Sequence, residues 1–162
     1  MYVYGKCLMK EYEYNFKVND LTPYINYCKE NGYKEEIINQ VRIVYESLDE
    51  KHLIARLTKN NNKETLFDFK RVNSENKDLK VSEESIPIKV YINNINEIRK
   101  LLKLFNFKQK SRLVRTRYIY TKDDIKFEID DYSEPPSKVV AIEGNKAKVD
   151  KLYKEIKLLD LH

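Results

Sequence analysis

The chain has 162 residues, 41% of them hydrophobic and 12% aromatic, enough to enclose an apolar core in one domain spanning 1–162 and to exclude a disordered tail. Charged residues make up 35%, and the 31 basic and 26 acidic side chains leave a net charge of +5, which favours an anionic ligand only weakly. Two cysteines, Cys7 and Cys28, without a pairing framework or a CxxC spacing, exclude a disulfide scaffold and predict a reducing cytoplasm with both thiols as small buried hydrophobes.

Taken in chain order, EYEYNFKV (11 to 18) alternates polar and apolar residues and predicts a half-polar strand. Thr22 as N-cap, Pro23 at the first helical position and Gly32 as a stop predict a helix at about 22 to 31. Segments 36 to 47, 52 to 59 and 64 to 72, separated by the turns Leu48–Lys51 and Asn60–Lys63, read as a three-stranded meander. The polar stretch 73 to 84 reads as a linker between halves. SIPIKVYI (85 to 92) is the next strand, with Pro87 predicting an edge or a bulge. Asn94 then caps a helix, with Glu97 three residues on and an apolar stripe of Ile98, Leu101, Leu102 and Phe105 that must pack on something. Strands at 110 to 121, 124 to 132 and 138 to 144 follow, and a helix from about 145 to 159 places Val149, Leu152, Tyr153 and Ile156 on one face. No run approaches the roughly 18 apolar residues of a membrane span, and no leader pattern opens the chain, which predicts a soluble cytoplasmic protein.

The order is strand, helix, three strands, the same again, and a C-terminal helix, a pseudo-repeat of architecture without residue-level repetition. The expected class is α+β: eight mostly antiparallel strands that can close into a β-barrel with helices packed outside. Charge recurs on one face of the strands: Glu11 and Glu13 oppose Tyr12 and Tyr14, Arg115 and Arg117 oppose Thr116 and Tyr118, and Lys126, Glu128 and Asp130 oppose Phe127 and Ile129. Asp68 and Lys70 oppose Phe67 and Phe69, and Arg42 opposes Val41 and Ile43. Alternation alone leaves two arrangements open: a sheet with one wet face, or a barrel whose charged faces line a tunnel.

Several of these residues resemble the CYTH superfamily, the triphosphate tunnel metalloenzymes, over nearly the whole chain. Glu11-Tyr-Glu13-Tyr-Asn15 resembles the opening ExExK strand, with Asn15 in place of the lysine. Arg56 in LIAR, Lys70 in LFDFK, Arg115-Thr-Arg117-Tyr-Ile-Tyr120, Asp130 in FEID and Ala141-Ile-Glu143 resemble the later motifs. Where many members carry an arginine and two alternating acids, this chain is expected to present Ser85, Pro87 and Lys89, and Ala141 stands for the first acid of EIE.

The resemblance implies a tunnel that binds a linear triphosphate. Glu11, Glu13, Asp130 and Glu143 would hold Mg²⁺ or Mn²⁺, and Lys17, Arg56, Lys70, Arg115 and Arg117 would hold phosphates, with Glu11, Glu13 and Arg117 closest to the chemistry. Hard oxygen ligands suit those ions, and a guanidinium fork binds two phosphate oxygens at once. The implied activity is metal-dependent hydrolysis of tripolyphosphate, thiamine triphosphate or a nucleoside triphosphate, or cyclisation of ATP as in class IV adenylyl cyclases, by a monomer or homodimer. The departures at Asn15, Pro87, Lys89 and Ala141 keep open a second class, a triphosphate-binding or sensing module without turnover. A third, RNA binding, draws on the positive charge and 13 tyrosines but lacks any RNP, KH or zinc-finger motif, so RNA is not the expected partner.

Overall fold

The computed structural model describes the backbone of residues 8–161; Cys7 and His162 lie outside the described residues. Nine strands and three α-helices follow in the order β1 (Leu8–Lys17), α1 (Thr22–Glu30), β2 (Lys34–Ser47), β3 (Leu53–Asn60), β4 (Glu64–Asn76), β5 (Leu79–Ser85), β6 (Ile88–Val90), α2 (Ile95–Leu104), β7 (Phe107–Lys122), β8 (Ile125–Glu134), β9 (Pro136–Glu143) and α3 (Lys146–Lys157). The sheet runs β3-β2-β7-β8-β9-β1-β5-β4 with every pairing antiparallel, and β3 pairs with β4 to close it into an eight-stranded barrel. The predicted pseudo-repeat is present, with the short β6 as an extra strand on β4.

Closure decides between the two arrangements left open by alternation. Each strand turns its charged face into the lumen and its apolar face outward, so the hydrophobic core lies outside the barrel wall, beneath the helices. The larger cluster joins Phe16, Tyr120, Phe127, Ile129, Val140 and Ile142 of the wall to Tyr24 and Cys28 of α1 and Val149 and Ile156 of α3, all buried. Tyr14 stacks on Tyr153 of α3 with ring centroids 4.1 Å apart. A smaller cluster sets Leu102 of α2 on Tyr45, Ala55 and Leu57.

Four local expectations are corrected. Thr22 does not cap α1: it is the first helical residue, its N–H bonds Asp20 Oδ1 at 2.9 Å, and Leu21 holds the cap position without a side-chain bond. Asn94 sits at the cap of α2 but its side chain makes no capping bond, because a 3-10 turn at Ile92–Asn94 leads into the helix. The α2 stripe is only half covered, since Leu102 is buried whereas Leu101 and Phe105 are 52% and 67% exposed. The stretch 73 to 84 is no linker: β4 continues to Asn76, the chain turns at Lys77 with φ 56°, and β5 returns along β1. Leu79 and Val81 supply its weak outward alternation, while its inward positions are polar, which hid the strand. Residues 85 to 92 are not one strand: Ser85 ends β5 and Ile88–Val90 form the short β6. β5 and β6 pair with β4 in nearly continuous register and are separated at Ile86-Pro87, where proline cannot donate to the ladder.

Candidate functional site

The lumen is a polar cavity of about 390 Å³ lined by seven carboxylates (Glu11, Glu13, Asp68, Glu84, Glu128, Asp130, Glu143) and seven cations (Arg42, Arg56, Lys70, Lys80, Arg115, Arg117, Lys126). Strand stagger sorts them into levels along the barrel. A stagger of two residues per strand carries the register from Arg115 through Arg42, Arg56, Lys70, Ser82, Glu13, Ala141 and Asp130 back to Arg115, so these eight form one level. The level above it, nearer the turn between β7 and β8, holds Arg117, Gln40, Thr58, Asp68, Glu84, Glu11, Glu143 and Glu128. Four cations lie on adjacent strands of the first level, and five carboxylates crowd the second.

Glu11, Glu13 and Glu143 each bring a carboxylate oxygen within 4.8 Å of the other two. Glu11 Oε2 is buried without a hydrogen-bond partner. Burial pushes its carboxyl up to about 9, aided by Glu143, close enough to share a proton, and by Glu84, against the opposing pull of Lys70. Three converging hard oxygens, one orphaned and all forced together, are a donor set that fits a divalent cation. The Lys70 ammonium now lies beside this cluster, 3.6 Å from Glu11, 3.4 Å from Glu13 and 3.2 Å from Glu84.

The arginines differ in company. Arg56 Nε donates to Asp68 Oδ1 at 2.9 Å in a two-bond fork, with Glu84 at 3.3 Å; burial lowers its pKa, but these acids more than restore it. Arg117 forks onto Asp130 at 2.8 and 2.9 Å and also bonds Glu128. Arg117 first, then Lys126, Arg42 and Arg115, hold the Glu128 carboxyl at about 2 despite its burial. Arg115 Nε donates to Gln40 Oε1 at 2.7 Å, bonds the Tyr132 hydroxyl, and has Asp130 at 3.6 Å. Arg42 Nε donates to Thr58 Oγ1 at 3.0 Å, and among the described residues no carboxylate lies within 4.0 Å of it. Desolvation, then Arg56, Arg115 and Arg117 together, push its pKa down to about 9, against the opposing pull of Glu128. A half-buried cation facing three others carries an electrostatic cost that a nearby anion relieves.

The sequence-predicted residues divide accordingly. Glu11, Glu13 and Glu143 meet in the acid cluster, whereas Asp130 stands apart from it, clamped by Arg117. Arg56, Lys70, Arg115 and Arg117 all line the lumen; Lys17, exposed at the end of β1, is not among the lining residues. Tyr120 is fully buried in the outer core, its hydroxyl donating to Glu35 at 2.6 Å. Asn15 Nδ2 donates to Glu13 Oε1 at 3.1 Å. Lys89, expected in the lumen, is exposed on β6 beside Glu64, and β5 instead contributes Lys80 and Glu84. Gln40, Lys80, Glu84 and Tyr132 were missed. The outward pair Leu79 and Val81 was the signal for two of them, and only the register with Arg115 identifies the other two.

No protein-family model and no curated protein matches the chain by sequence. Solved structures do match in fold. A protein from Pyrococcus horikoshii superposes with TM-score 0.71 at 20% identity, over 92% of this chain and 88% of its own. A protein from Hippeastrum, described as a candidate adenylyl cyclase with a dominant triphosphatase activity, gives 0.63 at 10% identity, over 91% and 86%. The RNA triphosphatase of Schizosaccharomyces pombe gives 0.55 at 13% identity, over 94% and 77%.

Proposed function

From the premise that this chain has the closed tunnel fold of the CYTH superfamily, we propose that its lumen binds a triphosphate and, with Mg²⁺ or Mn²⁺, hydrolyses it or cyclises ATP. Arg42 carries the reading: a cation pressed against three arginines, with no carboxylate within ion-pair reach among the described residues, lies one level from an acid cluster fit for a divalent ion. Glu11, Glu13 and Glu143 are the proposed metal ligands. Held there, a divalent ion would supply charge neutralisation on the phosphoryl oxygens. Arg42 and Arg115 would grip phosphate oxygens directly, while Arg56 and Arg117, already forked onto aspartates, would act as the positively charged wall behind them. Displacement at phosphorus depends chiefly on such positioning and neutralisation, so the enclosed wall needs no covalent nucleophile. Asp130 would orient Arg117 and Arg115. The Lys70 ammonium, which neutralises the acid cluster, would turn to the ligand when a metal enters. No helix among the described residues is long and apolar enough to cross a membrane, and the proposed setting is the cytoplasm, where triphosphates and Mg²⁺ coexist.

One observation favours a second reading, binding without turnover: Lys70 and the Asn15 amide already engage the acids that a metal requires. A turnover panel separates the two. With tripolyphosphate, thiamine triphosphate and ATP, each with Mg²⁺ or Mn²⁺, we expect metal-dependent release of orthophosphate, or of pyrophosphate with cyclic AMP if the reaction is cyclisation. A Glu11→Gln, Glu13→Gln variant is expected to lose at least a hundredfold. Tight binding with no product from folded protein would leave the second reading standing.

A further inference from the structure

The apolar clusters outside the barrel wall are covered unequally. Over the larger one α1 and α3 share the cover, and α3 packs Val149, Tyr153 and Ile156 onto the outward faces of β1 and β9. The pseudo-repeat makes β6 and β4 the counterparts of β1 and β9, but among the described residues no helix takes the place over them that α3 takes. α2 only borders that place, through Ile98, Leu101 and Phe105, and an apolar groove of about 580 Å³ runs between this flank of the helix and Leu53, Phe67 and Phe69. The uncovered surface continues past the groove. Leu104, one turn from Leu101, is 75% exposed; Leu48, whose N–H donates to the Asn106 carbonyl at 2.9 Å, is 58% exposed, and Ile88, opposite Phe67 on β6, is 56% exposed. A small molecule seated in the groove leaves those side chains in water, so the surface as a whole fits a protein partner.

The charges on this surface single out a second copy of the chain. α2 carries Arg99, Lys100 and Lys103, all exposed, alongside its apolar flank, and Asp49 and Glu50 stand at the rim of the groove. One surface therefore offers both an apolar ridge edged by cations and an apolar groove edged by acids, the two complementary halves that a two-fold contact between identical chains requires. We propose that the chain forms a two-fold symmetric homodimer in which α2 of each copy lies in the groove of the other. Leu101, Leu104 and Phe105 then rest against Leu53, Phe67 and Phe69 of the other copy, and the α2 cations face its Asp49 and Glu50. Each α2 supplies the cover for β4 and β6 that α3 supplies for β9 and β1. None of these residues lines the lumen, so the dimer stands or falls independently of the triphosphate reading.

The test is sedimentation equilibrium of the full chain, from about 1 µM to about 0.1 mM because interfaces of standard size hold at micromolar concentration or tighter. The wild type is expected to sediment with twice the mass of the chain at the upper end. Leu104→Glu and, separately, Leu101→Glu each place two carboxylates per dimer in an apolar contact and should weaken dimerisation at least a hundredfold. Both side chains are more than half exposed in the single chain, so the fold should survive either change. Urea unfolding supplies a second readout: the wild-type midpoint should rise with protein concentration, by mass action, and the midpoint of either variant should not. A wild type that stays monomeric up to about 0.1 mM, whatever other protein then fills the groove, overturns the proposal. A dimer of unchanged strength in both folded variants overturns it equally, because the contact then lies elsewhere.

Discussion

Arg56 and Arg42 sit on neighbouring strands at the same level of one tunnel, yet only Arg56 is paired. It is forked onto Asp68 with Glu84 behind it, whereas Arg42 bonds a threonine hydroxyl, faces three cations and, among the described residues, has no carboxylate within 4.0 Å, Glu128 acting on it only from farther off. A pair enclosed in this way fixes the wall, because its charges are satisfied before any ligand arrives. The unpaired one faces repulsion that the proposed ligand's negative charge would release. Residues of identical chemistry therefore stand in opposite situations, one paired within the wall and one left for the proposed anion, and the difference lies in the partners rather than in the side chain.

The largest expected effect comes from unmaking the pair. Asp68→Ala leaves Arg56 buried without its fork and should destabilise the protein by about 3 kcal/mol, read as a lower midpoint in urea unfolding; an unchanged midpoint would mean that the pair does not hold the wall. Next, Arg42→Gln should weaken triphosphate binding tenfold to a hundredfold, in line with about 1.5–3 kcal/mol for a charged hydrogen bond, without lowering the urea midpoint of the ligand-free protein. A matching fall in stability would erase the distinction from Arg56. Arg42→Lys should fall between, since an ammonium keeps the charge but loses the planar fork; affinity equal to that of Arg42→Gln would show that charge is not what matters there. Smallest of all, Lys17→Ala should change affinity by less than about twofold, because its exposed side chain lies off the lumen wall.

Much of the fold was legible because each wall strand alternates: Tyr14, Phe16, Tyr120, Phe127 and Ile129 mark the outer face that α1 and α3 cover. The strand β5 was not, since Lys80, Ser82 and Glu84 leave only Leu79 and Val81 to signal it, and Glu84 was lost to the site with it. Closure was a further step that alternation could not settle, because it depends on the β3–β4 pairing returning the sheet to itself. The acids Glu11, Glu13 and Glu143 could be named from their motifs. That Asp130 pairs with Arg117, or that Arg42 has no carboxylate within 4.0 Å among the described residues, follows only from the stagger that sets side chains from different strands at one height.

We propose that the tunnel binds an anion at Arg42. Its most direct test is calorimetric titration of tripolyphosphate at low ionic strength into the wild type and Arg42→Gln. The account predicts one binding event per chain in the wild type, weakened at least tenfold in the variant. No binding to folded wild-type protein, or equal affinity in the two, would contradict it.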